Sequence, residues 1–255
     1  MAGGDLENGG GVIVGLSSAA APDASLDELL EACARRGLPA VELRPGDAHG
    51  VHSAEGTAAG LVASRAAALA GVRISGYRVV GADEEASLVS FGRALGAPFI
   101  VSLPRAMSAR LDAAERLAVA GADVLIAIGS EDTEYEARLA VSRGLRLAWD
   151  ADPGRESLGD RAASLLDVAG PALRSILMLG GGPETVLHEG RGVGELMARL
   201  ALAGYDGTFM LAPSSPRFRV AWEKWLGRRG GWGCGSKASD PSLVQLDTII
   251  GGGVG

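Results

Sequence analysis

Apolar and polar positions fall into two rhythms that take turns along nearly the whole chain. One is a short unbroken run such as Val12-Ile13-Val14-Gly15-Leu16, the signature of a strand buried on both faces. The other is a longer amphipathic stretch. In 26–36, Leu26, Leu29, Leu30 and Cys33 share one face of a helical period, which predicts a helix. Ser25, with Glu28 three residues later, has the form of a capping box. Gly37 offers a left-handed stop before the second run, Val41-Glu42-Leu43.

The same unit recurs. Predicted strands cover 73–79, 99–103, 124–128, 146–149, 175–179 and 208–211, and predicted helices 58–70, 84–95, 109–120, 133–143, 161–168, 193–203 and 217–226. Eight strands and eight helices in strict order, within about 215 residues, fit a closed α/β (β/α)8 TIM barrel better than an open doubly wound sheet. An open sheet is also expected to carry G-x-G-x-x-G after its first strand, and Gly15-Leu16-Ser17-Ser18 supplies none. The expected organisation is a flexible N-terminus over 1–11, a single barrel domain over 12–227 and a flexible Gly-rich tail over 228–255.

Composition then narrows the functional classes. Hydrophobic residues make up 47% of the chain, enough for a sizeable core. Lys and Arg number 24 against 31 Asp and Glu, a net charge of −7 that argues against a nucleic-acid partner. Aromatics at 4% argue against a stacking platform for single strands. No apolar run approaches the roughly 18 residues of a membrane span, so no membrane partner is expected. The first apolar run is too short for a signal-peptide core and lacks a basic segment before it, so the expected location is cytoplasmic. Cys33 and Cys234 suggest neither a disulfide framework nor a zinc cluster. The expected partner is a small molecule, and the oligomeric state stays open.

A barrel of this kind carries its chemistry just past the C-terminal ends of its strands. Those positions hold Glu42, Arg44, His49 and His52 after the second strand, Arg78 at the third and Arg105 after the fourth. Ser130, Glu131 and Asp132 follow the fifth strand, Asp150 and Asp152 the sixth, and Gly180-Gly181-Gly182 the seventh.

Three segments carry a family resemblance: the first strand, the helix ending in Arg36-Gly37, and Ala40-Val41-Glu42-Leu43-Arg44. Together they resemble the xylose isomerase-like family, the sugar phosphate isomerase/epimerase group. His188-Glu189-Gly190-Arg191-Gly192-Val193, running on to Gly204-Tyr205-Asp206-Gly207, is similar to that family's Gly-Glu-Gly and Gly-Tyr-x-Gly pattern before the last strand. The resemblance implies a divalent-metal site built from Glu, Asp, His and Glu after strands five to eight. Only Asp150 matches it; Ala127-Ile128-Gly129-Ser130, Leu177-Met178-Leu179-Gly180 and Met210-Leu211-Ala212-Pro213 lack the other ligands. No cofactor is therefore expected, unless Glu131, Asp150 and Asp152 form a remodelled site for Mn, Mg, Co or Zn. The DNA-repair branch of the family, of endonuclease IV type, needs a multi-metal cluster and a basic face, and three histidines at net −7 supply neither.

Two readings follow. In the first, Asp150 and Glu42 transfer protons on a small polyhydroxylated or phosphorylated carbonyl compound without the usual metal site. Arg44, His49, His52, Arg78, Arg105, Ser130, Glu131, Asp152 and the backbone of Gly181 then bind its polar or anionic part. In the second, the barrel has lost catalysis and binds a metabolite or protein partner. Plainer roles stand beside these: Glu42 in a salt bridge to Arg44 or Arg78, His49 and His52 as a solvated loop pair, and Asp152 opening a turn with Pro153-Gly154.

Overall fold

The computed structural model describes residues 11–80, 85–102, 106–129, 132–152, 158–180 and 191–212. Eight parallel strands close on themselves in chain order: β1 (Ile13–Ser17), β2 (Ala40–Leu43), β3 (Arg73–Val79), β4 (Phe99–Val101), β5 (Val124–Ile128), β6 (Arg146–Ala151), β7 (Leu173–Leu179) and β8 (Thr208–Ala212). The ring is sealed where β8 pairs with β1, Ile13 lying beside Thr208 and Leu16 beside Leu211. The predicted barrel is the observed fold.

Seven α-helices jacket the ring among the described residues: α1 (Leu26–Arg35), α2 (Gly56–Leu69), α3 (Glu85–Leu95), α4 (Met107–Val119), α5 (Thr133–Ser142), α6 (Leu158–Ala169) and α7 (Arg191–Leu202). The capping box at α1 is complete, with the Ser25 hydroxyl accepting from the Glu28 N–H and the Glu28 carboxylate accepting from the Ser25 N–H. Gly37, at φ 65°, then turns the chain toward β2 through a conformation that costs a residue with a side chain about 1–2 kcal/mol. The predicted eighth helix over 217–226 and the tail lie outside the described residues.

Two layers of packing hold the ring. Outside it, strand residues such as Val41, Tyr77, Phe99 and Trp149 meet the helices in the main core. There the Tyr77 ring stands edge-on to Phe91 at 5.0 Å and to Phe99 at 6.2 Å. Inside the ring, Ala40, Leu177 and Met210 pack in one cluster and Ile100, Leu125, Ala127 and Ala148 in another. Small residues keep this interior narrow: a Cβ on Gly15 would sit 2.5 Å from the Ala40 carbonyl oxygen.

The boundaries depart from the sequence pattern in an informative way. β6 continues through Asp150 to Ala151, so Asp150 sits within the ladder beside Leu177 rather than in the loop that follows. A carboxylate can occupy an inward strand position because a guanidinium waits for it there. β7 begins at Leu173, earlier than 175, and α6 begins at Leu158, whose buried side chain extends the apolar face backwards. No helix among the described residues is long and apolar enough to cross a membrane.

Candidate active site

The strand alternation turns Glu42, Arg78 and Asp150 toward the barrel axis at the C-terminal ends of β2, β3 and β6. There they join into one ionic array. The Arg78 Nε donates to Glu42 Oε1 at 2.7 Å. Its two terminal nitrogens hold Asp150 as a fork, Nη1 to Oδ2 at 3.0 Å and Nη2 to Oδ1 at 2.6 Å. Nη1 also reaches the Ser102 hydroxyl at 3.2 Å, just past β4.

The array is graded in depth. Side-chain exposure is 0% for Glu42, 4% for Arg78 and 19% for Asp150. Burial therefore pushes the Glu42 carboxyl above the usual carboxylate range, with Arg78 opposing that shift and Asp150 adding to it. Burial alone would lower the proton affinity of Arg78, but the two carboxylates outweigh it and raise it above the usual arginine value. One guanidinium facing two carboxylates leaves a net negative charge when both are ionised. A proton on Glu42 neutralises the set.

Two buried oxygens beside it have no hydrogen-bond partner among the described residues: Glu42 Oε2 and Ser17 Oγ. They belong to residues paired directly across β1 and β2. Leaving such groups unpaired costs about 1–3 kcal/mol each.

The loop after β2 is tied down rather than solvated. Ser18 Oγ donates to Asp47 at 2.5 Å and accepts from the Arg44 N–H at 2.9 Å. His49 is 5% exposed; its Nε2 bonds the Arg44 carbonyl at 2.8 Å and its Nδ1 accepts from the Val51 N–H at 3.0 Å. Both ring nitrogens are thus engaged in the loop, and burial lowers the imidazole's pKa, favouring the neutral form. This corrects the expectation of a solvated histidine pair, since the loop folds back on itself and takes His49 inside. His52 is half-buried, its ring 6.3 Å from that of His49. Arg44 is also half-buried at the rim, and Asp152 is exposed past β6. Of the two pairings open to Glu42, the structure forms the one with Arg78. Arg105, Ser130, Glu131 and Gly181 lie outside the described residues.

Sequence reasoning overlooked Ser102 and Asp47. Ser102 had a legible signal, a polar residue directly after an apolar strand; Asp47, in a Gly-containing loop, had none. It also missed Glu136, which anchors the end of β5 from α5 by accepting from the Gly129 N–H at 3.2 Å and from Arg110.

The residues at hand do not suit the metal site that the family resemblance implies. Gly129, Leu177 and Met210 stand near Asp150 on the neighbouring strands and offer no side-chain donor. Both Asp150 oxygens already face a guanidinium. No group of three His, Cys, Asp or Glu among the described residues is arranged to hold a metal ion. The remodelled set depends on Glu131, outside the described residues.

With this geometry in hand, the fold can be placed. It is the closed parallel (β/α)8 barrel, shared with solved xylose isomerase domain proteins and sugar epimerases. The chain is similar to a D-psicose 3-epimerase crystallised in the presence of D-fructose, at 15% identity and TM-score 0.60, covering 94% of this chain and 99% of that one. It is similar also to a xylose isomerase domain protein from Planctomyces limnophilus, at 15% identity and TM-score 0.58, covering 96% and 100%. A third is the 3-keto-D-glucoside 4-epimerase of E. coli, at 14% identity and TM-score 0.53, covering 84% and 98%. No protein-family model and no curated protein matches the sequence.

Proposed function

We propose that the chain is a sugar isomerase or epimerase-like enzyme that moves a proton at a carbon beside a carbonyl, on a small polyhydroxylated or phosphorylated substrate. The observation that carries this reading is the Glu42–Arg78–Asp150 array at the active face of the barrel, bordered by two unpartnered buried oxygens. The fold's likeness to sugar epimerases supports the substrate class.

Asp150 is the most exposed member of the array and is the group that meets the substrate. Its carboxylate takes the proton. The C–H electron pair forms the enediolate double bond, and the carbonyl π pair moves onto oxygen. Arg78 supplies the fixed positive charge beside that oxyanion. Asp150 returning the proton to the neighbouring carbon on the same face, with the hydroxyl proton passing between the two enediolate oxygens, gives the isomer. Water protonating the original carbon from the opposite face, with Asp150 releasing its proton to solvent, gives the epimer. Glu42 lines the low-dielectric floor, where burial raises its affinity for a proton against the pull of Arg78. Arg44 and His52 bind the substrate at the rim. The expected setting is cytoplasmic.

The test is proton exchange. The full-length protein is incubated in D2O with D-psicose, D-fructose, D-tagatose and a 3-keto-D-glucoside, and deuterium at carbon is followed by NMR. Exchange that is lost in Asp150→Asn supports the reading; exchange that persists in that variant removes Asp150 from its role. One observation favours a second reading, a barrel that binds without turnover: Arg78 already engages both Asp150 oxygens. A sugar that raises the melting temperature with no exchange on any substrate would decide for it.

A further inference from the structure

We infer that the N-terminal mouth of the barrel, on the face opposite the Glu42–Arg78–Asp150 array, is a binding site for a small phosphate-bearing anion, with Arg73, Arg146 and Arg174 as its cationic wall. A cavity of about 530 Å³ opens there, lined by those three arginines and by Asp123 and Asp206. That is the size of a small-metabolite site.

Strand order explains the convergence. Arg73 opens β3, Arg146 opens β6 and Arg174 is the second residue of β7, so all three guanidiniums arise at one end of the ring. Two irregularities in strand pairing lead to the same place. Between β2 and β3 the register steps from Val41–Ile74 to Glu42–Gly76, leaving Ser75 as the extra residue. Between β6 and β7 it steps from Leu147–Leu173 to Ala148–Ser175, leaving Arg174 as the extra residue. Both extra residues line this cavity. Bulges re-aim side chains and gather near functional sites, and here two of them place Ser75 and Arg174 at one hollow.

The charges are incompletely matched. Arg146 pairs with Asp123, and Arg174 pairs with Asp206 at 2.9 Å. Arg73 has no ion-pair partner among the described residues, which leaves one positive charge in excess around the cavity. Burial and the charge of Arg174 lower the proton affinity of both Arg73 and Arg146, the mark of cations crowded together on a partly apolar floor. Helix C-termini also gather at this end, where arginines often satisfy terminal carbonyls, as Arg93 does for Ala120 at 3.5 Å. Arg146 and Arg174 instead face the carboxylates at the entries to β5 and β8.

Planar guanidinium forks match the oxygens of a phosphate, and several of them select a dianion over a monocarboxylate. Ser75 and Thr208 line the same wall with their hydroxyl protons committed, Ser75 to the Val41 carbonyl at 3.1 Å and Thr208 to Ser175 Oγ at 3.0 Å, so their oxygens are left to accept from the hydroxylated remainder of a phosphomonoester. The site is independent of the proposed reaction: the four residue steps from Arg146 to Asp150 span about 13 Å of strand.

Isothermal titration calorimetry on the full chain tests this with inorganic phosphate, glucose 6-phosphate and glucose. Saturable binding of the two phosphates but not of glucose is expected. A tighter fit of the ester identifies a phosphorylated metabolite as the ligand, and equal affinities identify free phosphate. Arg73→Met and Arg174→Met each weaken binding at least about tenfold, the equivalent of one charge-assisted hydrogen bond. Arg174→Met gives up only an exposed ion pair and Arg73→Met none among the described residues, so both variants fold, which circular dichroism checks. Absence of saturable phosphate binding, or indifference to both arginine substitutions, would each overturn the proposal, the second by moving the anion to the other mouth.

Discussion

Replacing Arg78 with Met removes the guanidinium that joins Glu42 to Asp150 while keeping a stem of similar length. Glu42, with a side-chain exposure of 0%, then loses its 2.7 Å partner and stays enclosed. Asp150, at 19%, can turn toward water, so the cost falls on Glu42. Removing one partner of a buried pair costs about 3–5 kcal/mol. For a chain of this size each kcal/mol lowers the melting temperature by about 2–4 °C, so a fall of roughly 6–20 °C is expected.

The pH dependence gives the sign. Burial already raises Glu42, and losing Arg78 removes the main opposing attraction. A carboxyl with a raised folded pKa contributes fully below its unfolded value of about 4.3, and that contribution is lost as pH rises through the folded value. The penalty of Arg78→Met is therefore small near about pH 5 and full near about pH 8. Adding Glu42→Gln removes the stranded charge and recovers part of the stability at the higher pH. Urea unfolding of the single and double variants at both pH values measures all of this. A loss under about 1 kcal/mol at the higher pH, equal losses at both, or no recovery in the double variant would refute the assignment of a buried, charge-balanced array.

Other substitutions probe the surroundings. A Cβ at Gly129 would lie 2.8 Å from the Asp150 carbonyl oxygen and 2.9 Å from its Cβ. Gly129→Ala should cost about 1–3 kcal/mol in thermal denaturation, and stability equal to the parent's would show that β6 yields freely. His49 has a folded pKa lowered by burial, so its contribution is present above about pH 6.5 and lost as pH falls through the folded value. His49→Gln should flatten the slope of stability between about pH 5 and 7, measured by urea unfolding. The Cys33 thiol is pushed up to about 12 by burial. In a Cys234→Ser background it should react with a thiol reagent only as fast as the protein unfolds, and a rate independent of urea would contradict its enclosure.

Much of the fold was legible because it is local. The alternation of unbroken apolar runs with amphipathic stretches follows from the two side-chain periods, and Ser25, Glu28 and Gly37 mark helix ends through contacts within a turn. Strand ends could be read as candidate positions, which brought Glu42, Arg78 and Asp150 forward. That Arg78 stands between the two carboxylates could not be read, nor that His49 turns inward. The first depends on 36 and 72 residues of intervening chain being folded back, the second on a loop tied across to Ser18.

By itself, then, the chain's pattern determined the order and kind of its elements and the closure into a parallel barrel, because helix and strand periodicity are properties of neighbours in sequence. Only the tertiary structure decided which charges meet. Two register steps, at Ser75 and Arg174, shift side chains by single residues. Their positions follow from how eight twisted strands close and pack around Ala40, Leu125, Leu177 and Met210, and no local stretch of sequence encodes that.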